Sequence, residues 1–190
     1  MKTNTRTIVG IGVMTAIVVV LQLLGSFIKF GMFSISLVLV PIIVGAALYG
    51  IGAGAWLGLA FGVTVLISGD AGLFLGINPA GTVITVLLKG ALAGLAAGVV
   101  YKLIESKNKL VAAISAGVVA PVVNTGVFAV GCWLFFMPTI TEWATAAGKD
   151  NAGLFVLTGV IGLNFFVELA INLVLSTAIV RIINIAKKEK

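Results

Sequence analysis

The chain has 190 residues, 61% hydrophobic and 9% charged, with a formal net charge of +6. A soluble domain carries about 25% charged residues, so the composition excludes an ordinary water-exposed fold and makes lipid the main solvent. Long continuous apolar runs, in place of short alternating segments, exclude a spanning β-barrel. A spanning helix needs roughly 20 apolar residues, so the expected fold is an all-α membrane protein, a bundle of about six transmembrane helices. It forms a single membrane-embedded domain over residues 1–190, with both termini cytoplasmic on the charge count given below.

The first helix is expected from Thr7 to Ile28. It lacks a small-residue cleavage site before a polar start, so it reads as a retained helix and not a signal peptide. The second runs from Ser34 to Tyr49 and the third from Ile51 to Ser68. The apolar stretch Ile35–Ile67 holds 33 residues, about 50 Å as one helix against a core of about 30 Å. It must break, and Gly50, Gly52 and Gly54 mark the place. Gly69 to Pro79 is a loop, and the fourth helix runs from Ala80 to Tyr101. After a polar hairpin at Lys102–Lys109, the fifth helix covers Leu110 to Phe136, with a kink expected at Pro121. Met137–Asn151 reads as the longest polar loop, and the sixth helix covers Ala152 to Asn184.

Orientation follows from the lysine and arginine bias of the loops. With the N-terminus inside, the inner segments hold nine basic residues (Lys2, Arg6, Lys102, Lys107, Lys109, Arg181, Lys187, Lys188 and Lys190) and the outer loops only Lys29 and Lys149. The positive charge is therefore a topology signal, and no nucleic-acid partner is expected.

Glycine is abundant, with 24 residues. Segments such as GIGAGAWLGLAFG and KGALAGLAAG repeat small residues at spacings of three and four, which lets helix backbones approach closely in lipid. These stripes read mainly as intramolecular packing. Gly12 and Ala16 on the first helix form a small-xxx-small pair near its cytoplasmic end, which also suits docking of a partner membrane protein.

Ionisable groups at membrane depth mark function by default. Lys89 lies within the fourth helix, and Glu168 within the sixth, on one face with Asn164 and Asn172. They either pair structurally or line a ligand cavity. At 1.5 Å per residue their depths differ by roughly 9 Å if the sixth helix starts at Ala152, which opposes a direct pair and favours Lys89 facing a pocket. Asn78 stands before Pro79 at the head of the fourth helix, and Asn124 follows Pro121 in the fifth. Both suit ligand contact or interhelical hydrogen bonding. Trp133, Phe135, Phe136 and Trp143 form an interfacial belt or a stacking wall. The candidate ligand-binding residues are thus Asn78, Lys89, Asn124, Trp133, Asn164 and Glu168, and the candidate docking residues Gly12 and Ala16.

Histidine is absent, Cys132 is the sole cysteine, and Thr82 stands where a phosphate loop at Gly76–Gly81 would need lysine. No catalytic constellation, cofactor or metal site is expected. A stand-alone secondary transporter or channel would call for internal repeats, and none is visible.

The whole chain resembles the substrate-binding (S) subunits of energy-coupling factor (ECF) vitamin transporters. The resemblance rests on size, helix number and basic tail, on Gly12-Val13-Met14-Thr15-Ala16 at the place of an AxxxA-type docking motif, and on the outer segment SGDAGLFLGINPAG. Glycine replaces the first alanine of the motif, which preserves close packing. The resemblance implies a vitamin-like ligand held near the outer face, a transmembrane coupling subunit and two cytoplasmic ATPase subunits. It implies that the outer segment caps the ligand and that the loaded subunit topples in the membrane to release it. Lys89 would suit a carboxylate-bearing ligand such as pantothenate, Glu168 and the asparagines a neutral polar head, and the aromatics a flavin-like ring.

Overall fold

A computed structural model describes residues 5–27, 29–30, 33–34 and 37–188. Lys2, Ile28 and Lys190, used above to bound the first helix and count charges, lie outside them. The fold is helical, apart from a two-residue ladder of β1 (Lys29–Phe30) against β2 (Phe33–Ser34). The helices are α1 (Thr5–Gly25), α2 (Leu39–Tyr49), α3 (Ile51–Ile67), α4 (Gly72–Ile77), α5 (Pro79–Ile104), α6 (Lys109–Gly131), α7 (Met137–Ala146), α8 (Ala152–Phe155) and α9 (Leu163–Lys188). Two π-helical segments, Cys132–Phe136 and Val156–Gly162, splice α6 to α7 and α8 to α9.

Among the described residues, four helical segments are long and apolar enough to cross a membrane: Thr5–Gly25, Pro79–Ile104, Lys109–Ala146 and Ala152–Ala186. α2 and α3 are shorter apolar helices. The break between them falls at Gly50, whose φ of 100° suits only glycine comfortably.

Several boundaries depart from the sequence reading. α2 starts at Leu39, because Ser34 belongs to β2. The expected loop Gly69–Pro79 contains α4. The expected polar loop Met137–Asn151 is helical as far as Ala146. Its hydroxyls do not compete with the helix: Thr141 donates to the Met137 carbonyl at 2.8 Å and Thr145 to that of Thr141 at 2.9 Å. Ile140 is buried in a cluster with Phe136 and Val156, and Ala144, one turn on, is buried as well. Pro121 sits inside continuous α-helix, and the change of winding comes later, at Cys132–Phe136.

α5 is central and packs most extensively on α3 and α6. The α3–α5 contact is backbone against backbone. A side chain at Gly58 would collide with the Gly90 carbonyl, and one at Gly54 with that of Gly94. In lipid such close approach supplies the van der Waals contact that holds helices together. The glycine stripes thus pack within the chain. Gly12 is the contrast: it is exposed, with open space around it. At the far end of the bundle Lys109 donates to Asn184 at 3.0 Å, tying the start of α6 to the end of α9. These two helices therefore run antiparallel.

Gly58→Ala and Gly90→Ala should each lower stability by about 1–3 kcal/mol, since overpacked backbone cannot relax as a side chain does. Gly12→Ala should stay within about 0.5 kcal/mol. Thermal unfolding of the detergent-solubilised protein measures both, and equal losses at all three positions would refute the tight crossing.

Candidate functional site

A cavity opens where α1, α3 and α6 end and where α5 and α9 begin. This is the end of the bundle away from the described chain ends. Gln22 of α1 and Phe61 and Val65 of α3 form one side. Thr82, Thr85, Val86 and Lys89 recur along one face of α5 as the floor. Phe128 and Phe136 close the α6 side, and Asn164 and Glu168 the α9 side. The roof is Asp70, Ala71 and Phe74, at the head of α4. The interior holds about 60 Å³, room for a few water molecules, so a larger guest requires the roof to shift.

The contacts that hold the roof include a hydrogen bond and an aromatic cluster. Gln22, buried in α1, donates from Nε2 to Asp70 Oδ2 at 2.6 Å. Phe74 is packed edge-on against Phe128, Phe136 and Trp143, with ring centroids 5.4, 4.9 and 6.1 Å away. Edge-to-face packing of this kind adds to the stabilisation from burial alone.

The floor is charged. The Lys89 ammonium lies over two aromatic rings, 5.7 Å from the Phe61 centroid and 5.3 Å from the Phe128 centroid. Cation–π attraction offsets part of its desolvation. Glu168, only 2% exposed, faces the same cavity. Among the described residues no ion pair joins the two. Asn164 Nδ2 reaches Glu168 Oε1 at 3.4 Å, the outer limit of a hydrogen bond. Asn172 instead donates to the Glu168 backbone carbonyl at 2.7 Å, so it orders the helix and not the carboxylate. Thr82 spends its hydroxyl hydrogen on the Asn78 carbonyl at 2.8 Å, while buried Thr85 Oγ1 has no hydrogen-bond partner among the described residues.

The candidate residues separate on this geometry. Lys89, Asn164 and Glu168 line one cavity. Asn124 lines a smaller adjoining one with Thr125 and Val160, and Lys89, Phe128 and Asn164 border both. Asn78 caps α5, its Oδ1 accepting from the Gly81 amide at 2.9 Å, and borders neither cavity. Trp133 is half exposed and also borders neither. The straight-helix depth estimate opposed a direct pair of Lys89 and Glu168, and none forms, although both line one cavity. The π-helical segment Val156–Gly162 precedes Glu168. π-Helical turns of this kind are uncommon and occur mostly at functional places.

Gln22, Asp70, Phe61 and Phe128 escaped the sequence reading. Gln22 carried a usable signal, as the sole glutamine of the chain and set in its first apolar run. Asp70 looked like an ordinary loop acid until α1 supplied its partner. The phenylalanines carried none, because apolar residues in a membrane helix do not announce which face they occupy.

Gln22→Met should free the roof while leaving the helices intact. A spin label on Leu73→Cys, half exposed beside Phe74, should then become more mobile, and buried Cys132 should not compete for the label. An unchanged spectrum would mean that the Gln22–Asp70 bond does not hold α4.

The fold is that of a solved structure of ThiT from Listeria monocytogenes, with a TM-score of 0.75 over 96% of this chain and 98% of that one. The two share 20% sequence identity, so this likeness speaks for the fold. No curated protein sequence matches the chain. Residues 6–180 match the family described as ECF transporter, substrate-specific component. That match spans nearly the whole chain: it belongs to the family of substrate-specific components of ECF transporters and is a multi-pass membrane protein.

Proposed function

We propose that the chain captures a water-soluble vitamin or related micronutrient at the outer face of the cell membrane and hands it to an ECF coupling module. The observation that carries this is a polar cavity at membrane depth, lined by Lys89, Glu168 and Asn164 and roofed by α4. Polar groups at such depth are costly unless they serve a binding or transport path. In this reading the six apolar segments (the four long ones with α2 and α3) all span. Both termini face the cytoplasm, in keeping with the basic residues near the α5–α6 turn and in the tail. The cavity then faces outward, where a scarce solute is met.

The ligand is held by Lys89, Asn164 and Glu168, with Asn124 reaching from the adjoining cavity. Asn78 and Trp133 contribute indirectly, by setting the start of α5 and the outer end of the α6 segment. α4 serves as the lid: Gly69, with φ of 86°, and Gly72 precede or begin it and give the backbone freedom to move.

ATP-driven release requires partners, a transmembrane coupling subunit and two cytoplasmic ATPase subunits. α1 is suited to meet them. Gly12 and Ala16 are exposed on it, flanked by exposed Val9, Val13, Ile17 and Val20. This leaves a smooth apolar stripe on which a partner helix can pack closely.

The test is reconstitution with the coupling module. Gly12→Trp combined with Ala16→Trp should abolish assembly and ATP-dependent uptake while ligand affinity of the isolated protein stays within about twofold, since neither residue borders the cavity. Copurification of the coupling and ATPase subunits with this double variant at wild-type yield would refute α1 as the docking face.

A further inference from the structure

We infer that the ligand is dipolar: an acid whose anionic group pairs with Lys89 and whose hydroxyl, amide or ammonium donors face Glu168. This deepens the reading of the cavity as a substrate site and rests on it.

The inference starts from three charges at one cavity, Lys89, Asp70 and Glu168. They are not equally available. Asp70 accepts from Gln22 at 2.6 Å in the roof. Lys89 and Glu168 have opposite charge and share the cavity, yet no ion pair joins them. A structural pair in so apolar a setting would close to contact, because separated buried charges are costly. Lys89 is held back instead between the faces of Phe61 and Phe128. A cation caged by two aromatic rings retains all three N–H donors for an anion.

The α9 wall has the complementary need. Glu168 Oε2 and Asn164 Oδ1 there, with Thr85 Oγ1 on the floor, are buried oxygens with no hydrogen-bond partner among the described residues. Asn124 on α6 turns its side-chain amide toward the Glu168 carboxylate, and its own Oδ1 has no partner among the described residues. Buried acceptors left without donors are destabilising. A row of them beside a carboxylate selects a guest that brings N–H or O–H groups. Phe61, Val65 and Val86 line the remainder and suit a short apolar stem. An anionic end, an apolar stem and a donor-bearing end match these surfaces. A flat uncharged ring would leave Lys89 unpaired, and a simple cation would be repelled by it.

The test uses the purified full-length protein in nanodiscs. It is incubated with an equimolar mixture of acids and their neutral counterparts (pantothenate with panthenol, nicotinate with nicotinamide, biotin with biotinamide), together with riboflavin, thiamine and pyridoxine, in a deproteinised cell extract. Native mass spectrometry identifies what is retained, and titration calorimetry measures it. The retained molecule should carry an acidic group and at least one donor. Its affinity should fall about 30-fold or more in Lys89→Met, the usual consequence of truncating one partner of a buried charge pair. Lys89→Arg should recover most of that loss. Glu168→Gln should weaken the same ligand, and its amide analogue should bind Lys89→Met and wild type alike. Thermal stability of Lys89→Met near that of wild type separates lost recognition from misfolding. Retention of a neutral or cationic molecule, unaltered affinity for an acid in Lys89→Met, or retention of no acid at all overturns the proposal. Tight retention of a neutral vitamin that is lost in Glu168→Gln would overturn the ligand class while leaving the substrate-binding role standing.

Discussion

The backbone-to-backbone crossing of α3 and α5 is the constraint on which the rest of the structure depends. With Gly54 against Gly94 and Gly58 against Gly90, the two helices lie closer than any side chain would allow. Lipid gives no hydrophobic reward for bringing helices together, so contact area and close approach must supply the attraction. The crossing also has a direct consequence for the site. Phe61 lies one turn beyond Gly58 and Lys89 is adjacent to Gly90, so the contact that locks the helices also sets the ammonium over the ring.

Above this crossing the architecture changes character. Toward the described chain ends the helices are close-packed on Leu39, Ile42, Ile43, Leu57 and Tyr101. At the other end the chain departs from regular α-helix twice, at Cys132–Phe136 and Val156–Gly162. Such π-helical turns are uncommon and concentrate at functional places. Here both border the cavity region: one carries Phe136 into the wall, and the other precedes Asn164 and Glu168. A rigid glycine-locked half thus supports a half whose irregular winding leaves room for polar side chains. That division suits a protein that must keep its shape in the bilayer while its roof moves.

α1 occupies both halves. Its outer stripe, with Gly12 and Ala16, is bare of internal contacts, while Gln22 near its other end holds the roof through Asp70. One continuous helix therefore joins the surface proposed for docking to the residue that bonds the lid. This is a physical connection through a rigid element, the kind of link that coupling between two sites requires.

The amino-acid sequence by itself determined the solvent, the helical class, the break at Gly50 and the glycine stripes. Each depends on composition or on spacing within one segment, and such local rules hold wherever the segment is placed. It also singled out Lys89, Glu168 and Asn164, because a charge or amide within an apolar run is conspicuous without knowledge of its neighbours. Only the tertiary structure decided that these three share one cavity, that Asn124 lies in the next, and that Asn78 and Trp133 border neither. Met137–Ala146 became helix with Ile140 buried in a cluster that includes Phe74, Phe136 and Val156, which no local reading of its threonines anticipates. That Lys89 and Glu168 line one cavity without pairing is likewise a tertiary outcome, because it depends on how α5 and α9 pack and not on residue spacing within either helix.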